Sequence, residues 1–377
     1  MNRVAGLDLL RAVAILWIML YHAAVLDLIG GDNPVVSYGW MGVDLFFALS
    51  GYLIGGQLLA PYARGEAGRP RLFYLRRAFR ILPAYLVVIA LYFLWPAFSE
   101  RPGLQPLWQF LTFTWNLLVD FNANKAFSHV WSLCVEEHFY LVAPFLVAGL
   151  MRWPAAWKAM AVCGAILVGG MALRGYIWTH DLEPLKHQPG GDFSIGFMER
   201  IYYPTWTRLD GLLAGFTLAL VKTFRPGAWA AVTRRANLVA AAGVAGFGVS
   251  VWLFQDQHAL IPSIIGYPIL ASSMACLVAS AASPHSLLGR LRIPGAPAVA
   301  AIAYSLYLVH KPVMHLTRLY LGGGLTGHPL VAAVAYPGLA IAAGSLLYLG
   351  VERPFLWLRD RLLAPRPALT APAQALG

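Results

Sequence analysis

Long apolar segments separated by short polar ones run along the whole chain. A helix that crosses a lipid bilayer needs roughly 20 mostly apolar residues. The segments that approach this length are 7–27, 43–60, 82–98, 130–150, 158–178, 205–222, 236–254, 262–281, 298–320 and 330–350. A further apolar stretch, 107–119, is short and runs into a polar segment, so we expect it to lie at the outer interface or to be re-entrant. The pattern predicts an all-α, polytopic membrane bundle of about ten transmembrane helices.

Composition supports a membrane protein. Hydrophobic residues make up 59% of the 377 residues and charged residues only 12%, and the mean hydropathy is +0.62. Soluble domains carry about 25% charged residues, so this chain cannot cover a water-soluble surface of its size. A soluble enzyme, a disordered tail and a nucleic-acid-binding domain are therefore excluded, and the expected environment is the lipid bilayer.

The net charge of +11 predicts the orientation of the helices. Lys and Arg favour cytoplasmic loops, and the predicted outer segments 28–42 and 255–261 contain neither. Both termini are thus predicted to be cytoplasmic. We expect an integral membrane domain over 1–358 and a short, flexible cytoplasmic tail over 359–377, so that any chemistry lies within the bundle.

The first two predicted spans contain charged groups that are costly in a bilayer and tend to mark function. Asp8 and Arg11 are spaced to pair on one helix face. Arg11 and His22 share a face about 16 Å apart along the axis. His22 is either an interfacial histidine bonded to a backbone carbonyl or a functional group. Asp44 is either a carboxylate favoured by a helix N-terminus or the group that orients an imidazole, as in a catalytic triad.

Two further patterns provide candidate ligands. Arg77 and Arg80 share a face at the membrane boundary, where they either anchor the helix or bind a phosphate in bidentate fashion. Ser132, Glu136 and Tyr140 recur every four residues and form one polar stripe. Because adjacent glutamates point about 100° apart on a helix, only one of the pair is expected to line a cavity, and the stripe nominates Glu136.

Four polar residues lie near predicted outer ends of spans. Arg208 and Asp210 are candidate substrate-binding residues, and so is His310. For Lys311 and His310, the alternative interpretation is that the side chain snorkels, with its polar end at the membrane interface. The cysteines lie in apolar segments, so we expect neither a disulfide framework nor a metal site.

Taken in order, these motifs resemble the membrane-bound acyltransferase 3 family, which includes O-antigen and exopolysaccharide O-acetylases and macrolide O-acyltransferases. The segments that carry the resemblance are LDLLRAVAILWIMLYH, GVDLFFALSGYLI, RRAFRILPAY, HVWSLCVEEHFY, TRLDGLLAG, AYSLYLVHKPV and VERPF, which together cover nearly the whole chain. The family's Arg-x10-His pattern matches Arg11 and His22, and its Arg-x-x-Arg pattern matches Arg77 and Arg80.

The family's Trp-Ser-Leu-x-x-Glu pattern matches a segment that begins at Trp131 and ends at Glu136. The chain departs from the family in two places. His138 stands where Gln is usual, and Val309 and Lys311 flank His310 where aromatic residues are common. These positions are candidates for tuning the acceptor pocket.

The resemblance implies transfer of an acyl group, usually acetyl, from cytoplasmic acyl-CoA to a hydroxyl of an extracytoplasmic glycan or glycoside, at a bacterial inner membrane. His22 would act as general base or as a transient acyl-histidine, with Asp44 or Glu136 orienting its ring. Arg77 and Arg80, with Arg11, would hold the CoA phosphates. The alternatives are a secondary transporter and a partner in polysaccharide export that uses the buried charges as a substrate path. The acceptor and the oligomeric state are not set by the sequence.

Overall fold

A computed structural model describes residues 4–152, 155–188, 192–325 and 327–363. Within these ranges the chain is helical and contains no strand. The principal helices are α1 (Ala5–Val25), α2 (Gly42–Ala63), α3 (Pro70–Leu94), α4 (Val130–Arg152), α5 (Ala156–Ile177), α6 (Asp210–Phe224), α7 (Ala236–Leu253), α8 (Tyr267–Ala281), α9 (Ala296–Leu325), α10 (Pro329–Leu347) and α11 (Arg353–Leu362). The predicted polytopic helical bundle is confirmed.

The number of membrane crossings stays a prediction. In the described part of the chain, eight helical segments are long and apolar enough to cross a membrane. Two predicted spans are not among them. The span 205–222 corresponds to α6, which has only 15 residues, and the span 298–320 lies within the more polar α9. The stretch 107–119 forms short turns of helix at Leu107–Leu111 and Trp115–Leu117 and no long helix.

Small residues bring α2 and α6 into close contact. A Cβ atom on Gly211 would lie 2.7 Å from the Cβ of Phe47, and one on Gly55 would lie 2.8 Å from the Cβ of Ala219. These distances leave no room for a side chain. Close backbone approach of this kind is how helices associate where lipid removes the hydrophobic drive between them. The contact fixes the start of α2, and with it Asp44, against α6.

The C-terminal segment differs from the predicted tail. Residues 359–362 are the last residues of α11, and Arg359 and Asp360 line the principal cavity of the bundle. The predicted boundary at 358 therefore falls inside a helix. The helix forms because the segment is amphipathic, with exposed Phe355, Trp357 and Leu358 beside its arginines. The rest of the predicted tail, 364–377, lies outside the described residues.

Candidate active site

A cavity of about 720 Å³ lies between α1, α2, α3, α4, α9 and α11. Its polar lining has two parts. The basic part comprises five arginines, Arg11, Arg76, Arg77, Arg80 and Arg359. The second part consists of hydroxyl groups, two carboxylates and one amide, on Ser50, Gln57, Ser132, Glu136, Tyr140, Tyr304, Tyr307 and Asp360. The cavity thus combines anion-binding groups with hydrogen-bonding groups inside the helical bundle.

The polar stripe predicted on α4 lines this cavity. Glu136 accepts hydrogen bonds from the hydroxyls of Ser50 (3.0 Å) and Tyr140 (3.0 Å). Glu137 points elsewhere and pairs with Arg77, Oε1 to Nη2, at 2.9 Å. The prediction that one glutamate of the pair lines the cavity is therefore confirmed, and Ser50 is a hydrogen-bond partner of that glutamate.

Three predicted arginines meet in the cavity, each with a different degree of constraint. Arg77 is held by Glu137 and lies flat on the ring of Tyr140, with its guanidinium carbon 3.4 Å from the ring centroid. Arg11 pairs with Asp8 at 3.7 Å, as its spacing predicted. Arg80 is exposed to the cavity. Arg77 is therefore preorganised by two contacts, whereas Arg80 is exposed to the cavity.

Three histidines from distant parts of the chain form a cluster. The Nδ1 of His22 lies 2.7 Å from the Nε2 of His310. The ring centroid of His129 lies 6.0 Å from that of His22 and 5.1 Å from that of His310. His310 is fully buried at 0% exposure, whereas His22 is partly exposed. We name His22, His129 and His310 the histidine cluster.

Tyr307 connects the cavity to the histidine cluster. It lines the cavity, and its ring centroid lies 5.7 Å from that of His310. Its hydroxyl donates to the backbone carbonyl of His129 at 2.7 Å. A tyrosine hydroxyl has one hydrogen, so in the 2.6 Å contact between Tyr307 and Ser132 the serine is the donor. Ser132 and Tyr307 therefore lie between the arginines and the histidines.

Pro312 determines how His129 is bound. A proline inside a helix has no N–H for the carbonyl four residues earlier, and this leaves the carbonyl of Leu308 without its helical donor. The Nε2 of His129 lies 3.3 Å from that oxygen. His129 itself follows Phe127, whose φ of 56° is unusual for a residue with a side chain. A strained turn and a broken helical bond thus place the third histidine.

Lys311 is buried and paired, so the interfacial snorkelling interpretation is wrong. Its Nζ lies 3.0 Å from the Oε1 of Glu100 and donates to the hydroxyl of Ser128 at 3.0 Å. Glu100 also accepts from the hydroxyl of Tyr92 (2.7 Å) and the backbone N–H of Phe127 (3.1 Å). This network ties α9 to the loop that carries His129.

Asp44, Arg208 and Asp210 lie in two buried ion pairs. Both carboxylate oxygens of Asp44 accept from the Nη2 of Arg208, at 3.0 and 3.1 Å. Asp210 pairs with Arg174 through two hydrogen bonds, at 2.9 and 3.0 Å. Asp44 therefore does not orient His22 as expected, since its hydrogen bonds go to Arg208. The described residues that line the cavity include neither Arg208 and Asp210 nor His310. The structure therefore does not support the predicted contact of these three residues with a substrate in the cavity.

Sequence comparison bears on what this arrangement does. A family profile described as an acyltransferase domain matches residues 4–349. The chain belongs to the acyltransferase 3 family. The match includes the histidine cluster and four of the five cavity arginines, and it ends before α11, which contributes Arg359.

Several named proteins are similar to this chain in sequence. The YrhL protein of Bacillus subtilis (strain 168) is 29% identical over 339 residues, which are 83% of this chain and 49% of that protein. The peptidoglycan O-acetyltransferase OatA of Listeria monocytogenes serovar 1/2a is 28% identical over 334 residues (83% and 50%). The O-acetyltransferase OatA of Staphylococcus aureus (strain NCTC 8325) is 28% identical over 334 residues (84% and 51%). The chain thus spans about half the length of these relatives. No solved structure matches it.

Sequence reasoning missed three residues that the structure brings to the site. His129 precedes α4 in an irregular segment, where no helical periodicity marks it. Tyr307 was one of several tyrosines in an apolar span. Arg359 was assigned to a tail. For His129 a signal existed, because a proline within α9 frees a carbonyl that some donor must satisfy.

Proposed function

We propose that this protein is a membrane-embedded O-acyltransferase that moves an acyl group, most simply acetyl, from cytoplasmic acyl-CoA to a hydroxyl of an extracytoplasmic glycan or glycoside. The observation that carries the proposal is the cavity whose lining leads from five arginines to Ser132 and Tyr307, of which Tyr307 contacts His129 and His310. The relatives named as O-acetyltransferases support acetyl as the group and a glycan as the acceptor.

The arginines provide a site for the phosphates of acyl-CoA. Guanidinium groups bind phosphate oxygens in a bidentate manner with charge-assisted hydrogen bonds. Arg77 is preorganised by Glu137 and Tyr140, which lowers the entropy lost when a phosphate binds. Arg11 lies in the first half of α1, and Arg80 lies just before the apolar part of α3, on the side that the positive-inside rule assigns to the cytoplasm. The donor therefore enters from the cytoplasmic side in this proposal.

His22 is the proposed reactive group. It lies eleven residues after Arg11 on the same helix, about 16 Å further along the axis. This distance is comparable to the length of a pantetheine arm. Its unprotonated ring nitrogen takes the proton of the acceptor hydroxyl as the oxygen bonds to the thioester carbonyl carbon. Collapse of the tetrahedral intermediate breaks the C–S bond, and the imidazolium returns the proton to the departing CoA thiolate.

A covalent route uses the same nitrogen. There His22 attacks the thioester, CoA leaves as the thiol, and the acyl-imidazole passes its acyl group to the hydroxyl. Rapid acid quenching during turnover, followed by mass spectrometry of the peptide that contains His22, distinguishes the two routes. An acylated His22 supports the covalent route, and its absence at full turnover supports general-base catalysis.

Mass spectrometry of cell-envelope glycans and small glycosides tests the proposed function. Cells that express the protein should carry glycans heavier by one acetyl group than cells without it, and cells with His22→Ala should match those without it. Identical glycans in all three strains would contradict the proposal. A secondary transporter would instead accumulate its substrate in vesicles without consuming acyl-CoA.

A further inference from the structure

The buried ring of His310 has its hydrogen on a defined nitrogen. Its Nδ1 lies 2.8 Å from the carbonyl oxygen of Tyr307 and 3.2 Å from that of Leu306. A carbonyl oxygen only accepts hydrogen bonds, so Nδ1 must carry the hydrogen. A neutral imidazole has one N–H. The Nε2 of His310 is therefore an acceptor.

The same reasoning extends to His22. Its Nδ1 lies 2.7 Å from the Nε2 of His310, and two lone pairs cannot face each other at that distance. The Nδ1 of His22 must therefore donate, which leaves the lone pair of His22 on Nε2. His22 is partly exposed and His310 is not, and the contact with His310 occupies Nδ1 of His22, so in the proposed reaction Nε2 of His22 is the nitrogen that meets the substrate.

We propose that His310 is a positioning residue that fixes His22 in the tautomer with an unprotonated Nε2. The proposal rests on the proposed acyl transfer at His22. His310 takes the place that a carboxylate holds in a serine-hydrolase triad, where the partner sets the tautomer and orientation of the base. The two carboxylates expected to orient His22 are engaged elsewhere, Asp44 by Arg208 and Glu136 by Ser50 and Tyr140.

The backbone of α9 is what anchors this partner. The two carbonyls that accept from His310 belong to the preceding turn of its own helix, so the ring orientation is set locally and does not depend on a distant side chain. The ammonium of the neighbouring Lys311 bonds to Glu100 and Ser128 rather than to the His310 ring. A neutral positioning group also avoids burying an unpaired carboxylate in the bundle, which would be costly.

Substitution of His310 tests whether this residue positions His22 for the chemical step without affecting the binding of acetyl-CoA. His310→Leu removes the acceptor, so that His22 redistributes between tautomers. We expect kcat to fall about 10- to 100-fold, at or below the roughly 10²–10⁴-fold that a general base contributes, with little change in KM for acetyl-CoA. His310→Gln keeps an oxygen acceptor on a side chain of similar reach and should restore part of kcat. His315→Leu, on the same helix, is the matched control and should leave kcat unchanged.

Nitrogen NMR of the intact protein, labelled with ¹⁵N-histidine in detergent micelles, tests the proposal without turnover. The signals of His22 are assigned by their loss in His22→Ala. We expect a protonated Nδ1 and an unprotonated Nε2 in the wild type and in His310→Gln, and a mixture in His310→Leu. A wild-type His22 protonated at Nε2 alone, or at both nitrogens, would overturn the proposal, as would a folded His310→Leu with unchanged kcat.

The two levels of inference fail separately. If the wild-type protein transfers no acyl group, or if His22→Ala transfers it at the full rate, the proposed function fails whatever the tautomer. If transfer depends on His22 but the NMR signals place the hydrogen on Nε2, only the role of His310 fails. Should His310→Leu not fold, the wild-type spectrum still decides the tautomer.

Discussion

Removal of the Asp44 carboxylate would leave Arg208 charged and unpaired inside the bundle. The side chain of Arg208 is 1% exposed and that of Asp44 is 2% exposed, and both carboxylate oxygens bind the same guanidinium nitrogen at 3.0 and 3.1 Å. The guanidinium carbon lies 4.3 Å from the ring centroid of Tyr267, 4.6 Å from that of Tyr202 and 5.0 Å from that of Trp131. Aromatic rings surround the cation, so these rings, rather than solvent, would face the charge left behind.

We expect Asp44→Ala to lower the free energy of unfolding by about 3–5 kcal/mol, the usual cost of breaking a buried ion pair from one side. The aromatic contacts do not offset this loss, because they are present before and after the substitution. Exchange of both partners, Asp44→Leu with Arg208→Met, should cost much less, because an apolar pair of similar volume removes the charge as well. The double variant should therefore be more stable than Asp44→Ala alone.

Thermal unfolding of the detergent-solubilised protein, together with kcat per folded molecule, provides the assay. Glu66→Ala breaks an exposed ion pair with Arg64 and should leave the unfolding midpoint unchanged, because solvent screens such pairs. For the folded fraction of Asp44→Asn we expect kcat near that of the wild type. An Asp44→Asn protein of undiminished stability that has lost kcat would refute this reasoning and restore Asp44 as the group that orients His22.

Two further variants test the cavity and the helix packing. Arg359→Ala should raise KM for acetyl-CoA about three- to tenfold, in line with the loss of part of one charge-assisted hydrogen bond. Arg361→Ala, which removes a guanidinium 3.7 Å above the ring centroid of Trp357, is the control and should leave KM unchanged. Equal effects of the two substitutions would argue against Arg359 as a phosphate ligand. Gly51→Leu should destabilise the protein by about 1–3 kcal/mol or more through overpacking, because a Cβ at this position would lie 2.9 Å from backbone atoms of α6. Gly149→Leu is the control and should cost no stability, because nothing lies within 4 Å of a Cβ there. Equal unfolding midpoints for the two variants would contradict the packing of α2 on α6.

Hydropathy predicted most of the fold, because bilayer thickness sets the length of an apolar run. The predicted span 43–60 became Gly42–Ala63, and 130–150 became Val130–Arg152. The C-terminal region was predicted less well. A flexible tail was expected from residue 359, but the apolar run 355–358 and the arginines on either side of it belong to one helix, α11. A count of charges does not register that amphipathic pattern.

In the candidate site, the residues that share one helix were predicted, whereas the contacts between helices were not. Ser132, Glu136 and Tyr140 were predictable because one helix carries them and 3.6-residue periodicity places them on one face. The partners of Asp44 and His22 were not, because Arg208 and His310 lie far away along the chain, and only tertiary packing decides which of several nearby charges each one meets. Local spacing placed the residues of each helix correctly and left the contacts between helices open.

The most direct test of His22-dependent acyl transfer uses the purified protein in lipid nanodiscs with radiolabelled acetyl-CoA and a peptidoglycan fragment as acceptor. We expect label to appear on the glycan as an alkali-labile ester. His22→Ala should bind acetyl-CoA as the wild type does and transfer label at least about 10²-fold more slowly. Full transfer by a folded His22→Ala protein, or no labelled ester with wild-type protein and bound acetyl-CoA, would contradict the proposed chemistry.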